Sequence, residues 1–190
     1  VLIQVSVNSF GADVTTAWGL SGRLDGIIWM VTEALGVSIT TFSAQNFGAR
    51  NYERMRKGYH TSLVLSFALI GGLSAVLMVF SGPLSRLFID DAAISGFTTT
   101  IIHFIAPFYA IFSIIENASG SIRGAGVSFQ PMVLTIFGTV VLRVIWLFAI
   151  MPLDPSLEHL LLVYPITWLI TATMFTIYHH SGNWLGRATA

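Results

Sequence analysis

Residues 61–85, TSLVLSFALIGGLSAVLMVFSGPLS, contain no Asp, Glu, Lys or Arg. Wound as a helix they extend about 37 Å at 1.5 Å per residue. A hydrocarbon core about 30 Å thick needs about 20 helical residues, so this stretch decides the solvent of the chain. Residues 92–115 repeat the pattern with His103 as its single titratable ring, and the runs 124–142 and 160–178 are also uncharged. With a further apolar stretch beginning near Trp18, five segments are long enough to cross a bilayer. Backbone N–H and C=O groups in hydrocarbon must pair within closed structures. Long uncharged runs without dyad alternation exclude a barrel, so the class is all-α, a polytopic membrane helical bundle.

Composition points the same way: 54% of residues are hydrophobic and 9% charged, with no net charge, where an average globular domain has about 25% charged residues. The nine Lys and Arg are divided among short connections, which leaves no basic face for nucleic acid. Without cysteine there are neither disulfides nor thiolate metal sites. No GxxxxGK[ST] loop or HExxH motif occurs, so ATPase and zinc-protease chemistry have no sequence support and the expectation is not an enzyme.

Breakers place helices at about 1–10, 15–46, 58–82, 97–124, 131–151 and 157–180. Residues 1–10 would reach only about 15 Å as a helix, so they read as the end of a sixth span whose start is missing. The whole of 1–190 is expected to form a single transmembrane domain without a soluble one. Arg50, Arg54, Arg56 and Lys57 fall within eight residues, and Lys and Arg in short loops mark the cytoplasmic side. The loop 50–57 is therefore expected inside, and threading from it also places Arg123 and Arg187 inside. Arg86, Asp90, Asp91, Asp154 and Glu158 then lie outside.

Two glycine-bearing signatures close helices on that inner side: TTFSAQNFGARNYERMRKG at 40–58 and SGSIRGAGVSFQPM at 119–132. Taken with NSFGADVTTAWGLSGRLDGI (8–27), PLSRLF (83–88), LRVIW (142–146) and YPITW (164–168), they resemble the multidrug and toxic compound extrusion (MATE) family over nearly the whole chain. The resemblance implies a twelve-helix parent of two lobes related by a pseudo-twofold axis, of which this chain looks like the second, with an N-terminal lobe as its missing partner. It also implies efflux of small organic, cationic or amphipathic compounds in exchange for H⁺ or Na⁺, by alternating access and without another cofactor. A bacterial inner membrane is the expected location, with membrane lipids as further partners. Two other readings remain: a flippase for lipid-linked precursors of the same superfamily, and a structural half inactive alone.

Ionisable groups deep in a membrane are costly and usually functional. Glu116 lies about 28 Å along a helix of about 40 Å, and the resemblance gives it the role of coupling-ion or cationic-substrate site, with Na⁺ as a possible metal. Glu33 is either a second acidic wall or the salt-bridge partner of Arg143, which needs one. Asn117 offers Glu116 a local hydrogen bond and, with Gln4, Asn8, Trp29, Tyr109 and Phe112, forms the expected cavity lining, because aromatic faces attract organic cations. Arg23 and Asp25 read as interfacial or intrahelical partners. The histidines make no metal motif, and His103 reads as a satisfied polar group. Pro107 is a candidate hinge two turns outside Glu116, and Ser119, Gly120, Ser121 and Gly124 form a small-residue packing face.

Overall fold

The computed structural model describes residues 2–182 together with Trp184 and Leu185; Arg187, expected on the inner side, lies outside these. The described residues form ten α-helices without a strand: α1 (Leu2–Asn8), α2 (Ala12–Leu24), α3 (Gly26–Gly48), α4 (Tyr52–Phe88), α5 (Ala92–Ile105), α6 (Tyr109–Gly124), α7 (Phe129–Thr135), α8 (Leu142–Ile145), α9 (Leu157–Leu161) and α10 (Val163–Ser181). Five helical stretches are long and apolar enough to span a membrane: Gly26–Gly48, Tyr52–Phe88, Ala92–Gly124, Phe129–Leu153 and Leu157–Ser181. The bundle's outer surface is apolar, with Val79 74% and Leu87 79% exposed on α4 and Phe148 70% exposed beyond α8. Such a skin suits lipid and would be an aggregation liability in water.

Several boundaries differ from the sequence expectation. The stretch expected as one helix over 15–46 starts at Ala12 and is divided at Asp25, where ψ opens to −6°; Gly26 comes next, and the Asp25 carboxylate is drawn sideways by a hydrogen bond from Tyr109. Its far end is closed by Arg50 at φ 54°, whose N–H donates to the Phe47 carbonyl at 2.9 Å, while Asn51 N–H donates to Asn46 O at 2.8 Å. Arg50 thus occupies the left-handed position usually filled by Gly. Asn46 caps nothing beyond its own turn, its amide donating to Phe42 O.

The helix expected at 58–82 runs from Tyr52 to Phe88. Asn51 Oδ1 accepts from Arg54 N–H at 3.1 Å and starts it early, so Arg54, Arg56 and Lys57 ride on the first turns of α4 instead of in a loop. At the other end the chain passes through Pro83 without stopping, since proline forfeits one helical hydrogen bond and neighbouring groups in a bundle compensate. Buried serines 66, 74, 81 and 85 run down the inner face of α4. Ser81 meets His103 at 3.3 Å and Ser85 meets Ser95 at 2.6 Å. His103, which also donates to Met78 O at 2.8 Å, is a satisfied polar group.

The next span begins at Ala92, capped by Asp91 Oδ1, which accepts from Ala93 and Ile94 N–H groups at 2.8 and 3.1 Å. It is interrupted by a tight 3₁₀ turn at Ala106–Phe108, with Pro107 inside it. The interruptions at Asp25 and Pro107 are tied together by the hydrogen bond from Tyr109 to Asp25, so the two spans bend at one level. A bend at that level transmits motion only if Pro107 permits it. Pro107→Ala is expected to straighten the span and alter the solvent accessibility of a cysteine label at 116. Normal transport with unchanged label accessibility would remove the hinge role.

The span Phe129–Leu153 departs furthest from an ideal helix, with π-helical turns at Ile136–Val141 and Trp146–Ile150. An inserted residue rotates the remainder of a helix by about 100°, which re-aims Arg143. Gly138 lies so close to Thr171 of α10 that a methyl group there would overlap the threonine side chain.

The tightest seam joins α3 to α6. A Cβ built on Gly120 falls 2.8 Å from the Gly36 carbonyl oxygen, and one on Gly124 falls 2.5 Å from that of Thr40. In lipid no hydrophobic drive holds apolar helices together, so close backbone approach through small residues supplies the attraction by dispersion.

Candidate functional site

Two groups of membrane-depth charges flank this seam. Near the bends, Tyr109 Oη donates to Asp25 Oδ2 at 2.6 Å. Around them stand aromatic rings: Trp29 meets Tyr109 at 5.5 Å, Phe112 at 5.1 Å and Trp168 at 6.0 Å between centroids, while Trp18 meets Tyr164 at 5.7 Å. Together they wall a cavity of about 240 Å³ lined by Trp18, Ser21, Asp25, Trp29, Tyr109 and Trp168. Two polar atoms of these residues are sealed from solvent, the acceptor Asp25 Oδ1, on a carboxylate flanked by Tyr109 and Trp29, and the donor Trp168 Nε1. A buried polar atom without a partner costs roughly 1–3 kcal/mol, which the packing of the surrounding rings offsets.

Across the Trp18–Tyr164 wall lies a second cavity of about 440 Å³, bordered by Gln4, Thr139, Arg143 and Leu147. Arg143 stacks 4.6 Å over the Tyr164 ring and makes a long 3.5 Å contact to Thr167 Oγ1. Its expected salt bridge to Glu33 does not form. Among the described residues Arg143 has no acidic partner within salt-bridge distance, and a ring face stands in for one. The guanidinium is directed to α10, where Tyr164 and Thr167 receive it.

Further along the seam, Glu116 Oε2 lies 3.8 Å from Arg123 Nη2, and Arg123 Nη1 donates to Ser119 Oγ at 2.7 Å. Gly36 leaves room for that carboxylate, since a Cβ there would stand 2.9 Å from Glu116 Oε2. Glu33, one turn before Gly36 on the same helix, is exposed. Glu116 thus has Arg123 as its cation, and Glu33 stands one helical turn from the glycine against which the Glu116 carboxylate packs. The guanidinium beside Glu116 competes with any Na⁺ there, and no group of three His, Asp or Glu able to hold a metal occurs among the described residues.

Asn117 points the other way. It is buried against α4, where Nδ2 donates to Ser66 Oγ at 2.9 Å and Oδ1 accepts from the Ser62 hydroxyl. It holds α6 to α4 and neither bonds Glu116 nor reaches a cavity, because consecutive helical residues diverge by about 100°. Gln4 and Asn8 do share a face, bonded to each other at 2.9 Å and exposed, and Gln4 reaches the second cavity. Trp29 and Tyr109 line the first; Phe112 supports Trp29 and Trp168 from behind.

Sequence reasoning passed over Asp25, Trp18, Tyr164 and Trp168 as site residues. A signal was present: Trp18 and Asp25 are spaced i,i+7, and YPITW sets Tyr164 and Trp168 at i,i+4, so each pair shares one helix face.

Five helical stretches long and apolar enough to cross a bilayer, packed into one all-helical bundle, define a polytopic membrane protein. The MatE family model matches residues 1–148, and the chain belongs to that family. It is 29% identical over 141 residues to the probable multidrug resistance protein YpnP of Bacillus subtilis, covering 74% of this chain and 32% of that protein. It is 27% identical to the probable multidrug resistance protein NorM of Aromatoleum aromaticum, covering 70% of this chain and 29% of that one. The chain thus spans about a third of the length of these relatives. The MATE transporter ClbM in complex with Rb⁺ superposes with a TM-score of 0.87 at 19% identity, over 98% of this chain and 44% of its own.

Proposed function

We propose that this lobe forms one wall of an efflux pathway for small organic cations or amphipaths, exchanged for H⁺ or Na⁺ by alternating access against a second lobe. The observation that carries it is the aromatic cavity with the Asp25 carboxylate among its lining residues. Rings attract organic cations through their faces, and the Asp25 carboxylate supplies the acceptor for a proton, a metal cation or an ammonium group. These ligands compete for one negative charge, so occupation by the coupling ion releases the substrate. The multidrug resistance names of the relatives and the Rb⁺ complex of the structural neighbour support this reading.

Glu116 and Glu33 form a second acidic station nearer the basic end of the bundle. Arg123 holds Glu116 while the station is unused; a cationic solute displaces it. A bacterial inner membrane, with the α3–α4 turn inside, is the orientation that the basic residues favour. A lipid-linked pyrophosphate would need several inward cations. Arg23 is exposed at the end of α2 and Arg143 is left alone, which disfavours a flippase.

The test is ion-driven efflux from liposomes holding the full-length protein. Glu116→Gln keeps the side-chain shape and removes the charge, and is expected to lower gradient-coupled transport at least about tenfold, equivalent to about 1.4 kcal/mol. Antiport at the wild-type rate would end the role of Glu116.

A further inference from the structure

A third cavity, of about 510 Å³, lies outside both acidic stations, between the first turns of α4 and the last turn of α10. Its floor is a stack: the His179 ring lies 3.9 Å from Tyr59 at 23° and 5.3 Å from Trp184, whose Nε1 donates to His179 O at 2.9 Å. Arg56 and His60 of α4 and His180 of α10 stand around it, with Tyr52 and Ser121 as hydroxyl donors. These groups come from segments more than a hundred residues apart, so no local motif announces them. Arg56 has no salt bridge and His60 no hydrogen bond to any described residue, and both are exposed. The one carboxylate on the rim, Glu53, is already held by Lys57 at 2.7 Å.

We propose that this cavity binds a phosphate group. Arg56 presents a planar fork of N–H donors that matches phosphate oxygens. His60 adds a ring N–H, and the spacing of Tyr52, Arg56 and His60 at i, i+4 and i+8 sets all three on the face of α4 that lines the cavity. The cavity lies at the basic end of the bundle, where a membrane presents anionic headgroups and where basic pockets between helices hold lipid phosphates. The phosphate belongs either to a phospholipid headgroup or to a soluble phosphate compound from the adjoining aqueous phase. Either ligand would clamp α4 to α10 and so bias the position of the α4 end.

The experiment uses the full-length protein, wild type and Arg56→Gln/His60→Gln, in discs of phosphatidylcholine with and without phosphatidylglycerol. Inorganic phosphate, or chloride at equal ionic strength, is added to the phosphatidylcholine discs. Arg54→Gln is the control, since it removes the same charge from the same helix end but lies over Phe42, outside the cavity. Retained lipid is read by native mass spectrometry and stability by thermal unfolding. The wild type and Arg54→Gln are expected to hold phosphatidylglycerol about tenfold better than the double variant, the loss of one to two charge-assisted hydrogen bonds; this result assigns a headgroup. Stabilisation by inorganic phosphate that disappears only in the double variant assigns a soluble phosphate compound. Equal behaviour of the wild type and double variant in both arms overturns the proposal, as does an equal loss in Arg54→Gln, which would reveal diffuse attraction to the surface.

Discussion

Gly120→Leu is expected to open the α3–α6 seam and unfold the lobe in mild detergent. Even the Cβ would press to 2.8 Å from the Gly36 carbonyl, the Ile39 methyl and the Thr40 hydroxyl, and the first of these is backbone that cannot turn aside. Overpacking of this kind costs typically about 1–3 kcal/mol for one added group, so Gly120→Ala should fall in that range and leucine beyond it. The same seam positions the Glu116 carboxylate against Gly36, so the damage extends to the inner acidic station. Gly72→Ala is the matched control, for nothing lies within 4 Å of a Cβ there and alanine is favoured over glycine in a helix by about 1 kcal/mol. Unfolding in SDS or by heat measures both. Equal stability of the Gly120→Ala and Gly72→Ala proteins would show that the seam contributes nothing.

Asp25→Asn should abolish gradient-coupled efflux while leaving the fold intact. The amide has the shape of the carboxylate and its oxygen still accepts from Tyr109, so the 2.6 Å hydrogen bond that ties the two bends together survives. What disappears is the negative charge at the aromatic cavity, on which the proposed exchange of a proton or metal cation for a substrate depends. The expected loss is at least about a hundredfold in coupled transport, about 2.7 kcal/mol, with thermal unfolding unchanged. Tyr109→Phe, which leaves Asp25 charged but untethered, should lose less transport and more stability, because Asp25 Oδ2 then loses its hydrogen bond. Wild-type coupling in Asp25→Asn would refute the role given to this cavity and leave Glu116 as the remaining candidate.

The inner acidic station was partly legible in the sequence. A carboxylate in an uncharged run stands out because hydrocarbon penalises it, and Glu116 does so plainly. The outer station was not, since Asp25 lies two residues from Arg23 in a stretch with glycines and looks like an ordinary helix end. Its importance arises from Tyr109, more than eighty residues away. Arg143 shows the converse: the need for a partner was readable, but the partner was not, because π-helical turns are invisible to a 3.6-residue pattern. Asn117 shows how one residue of register separates a wall of the site from a strut of the core.

Long uncharged runs, and the requirement that backbone groups in lipid be paired within a segment, determined by themselves that this chain is a helical membrane bundle with its basic end on one side. The glycines at 120 and 124 announced a close helix contact without naming the helix they meet. Only the tertiary structure decided which polar groups face one another, where the spans bend, and that three histidines and an arginine gather around one cavity. Sequence periodicity records which face of a helix is buried. The partner of that face depends on distant segments meeting, and local turns such as those around Arg143 reset its direction.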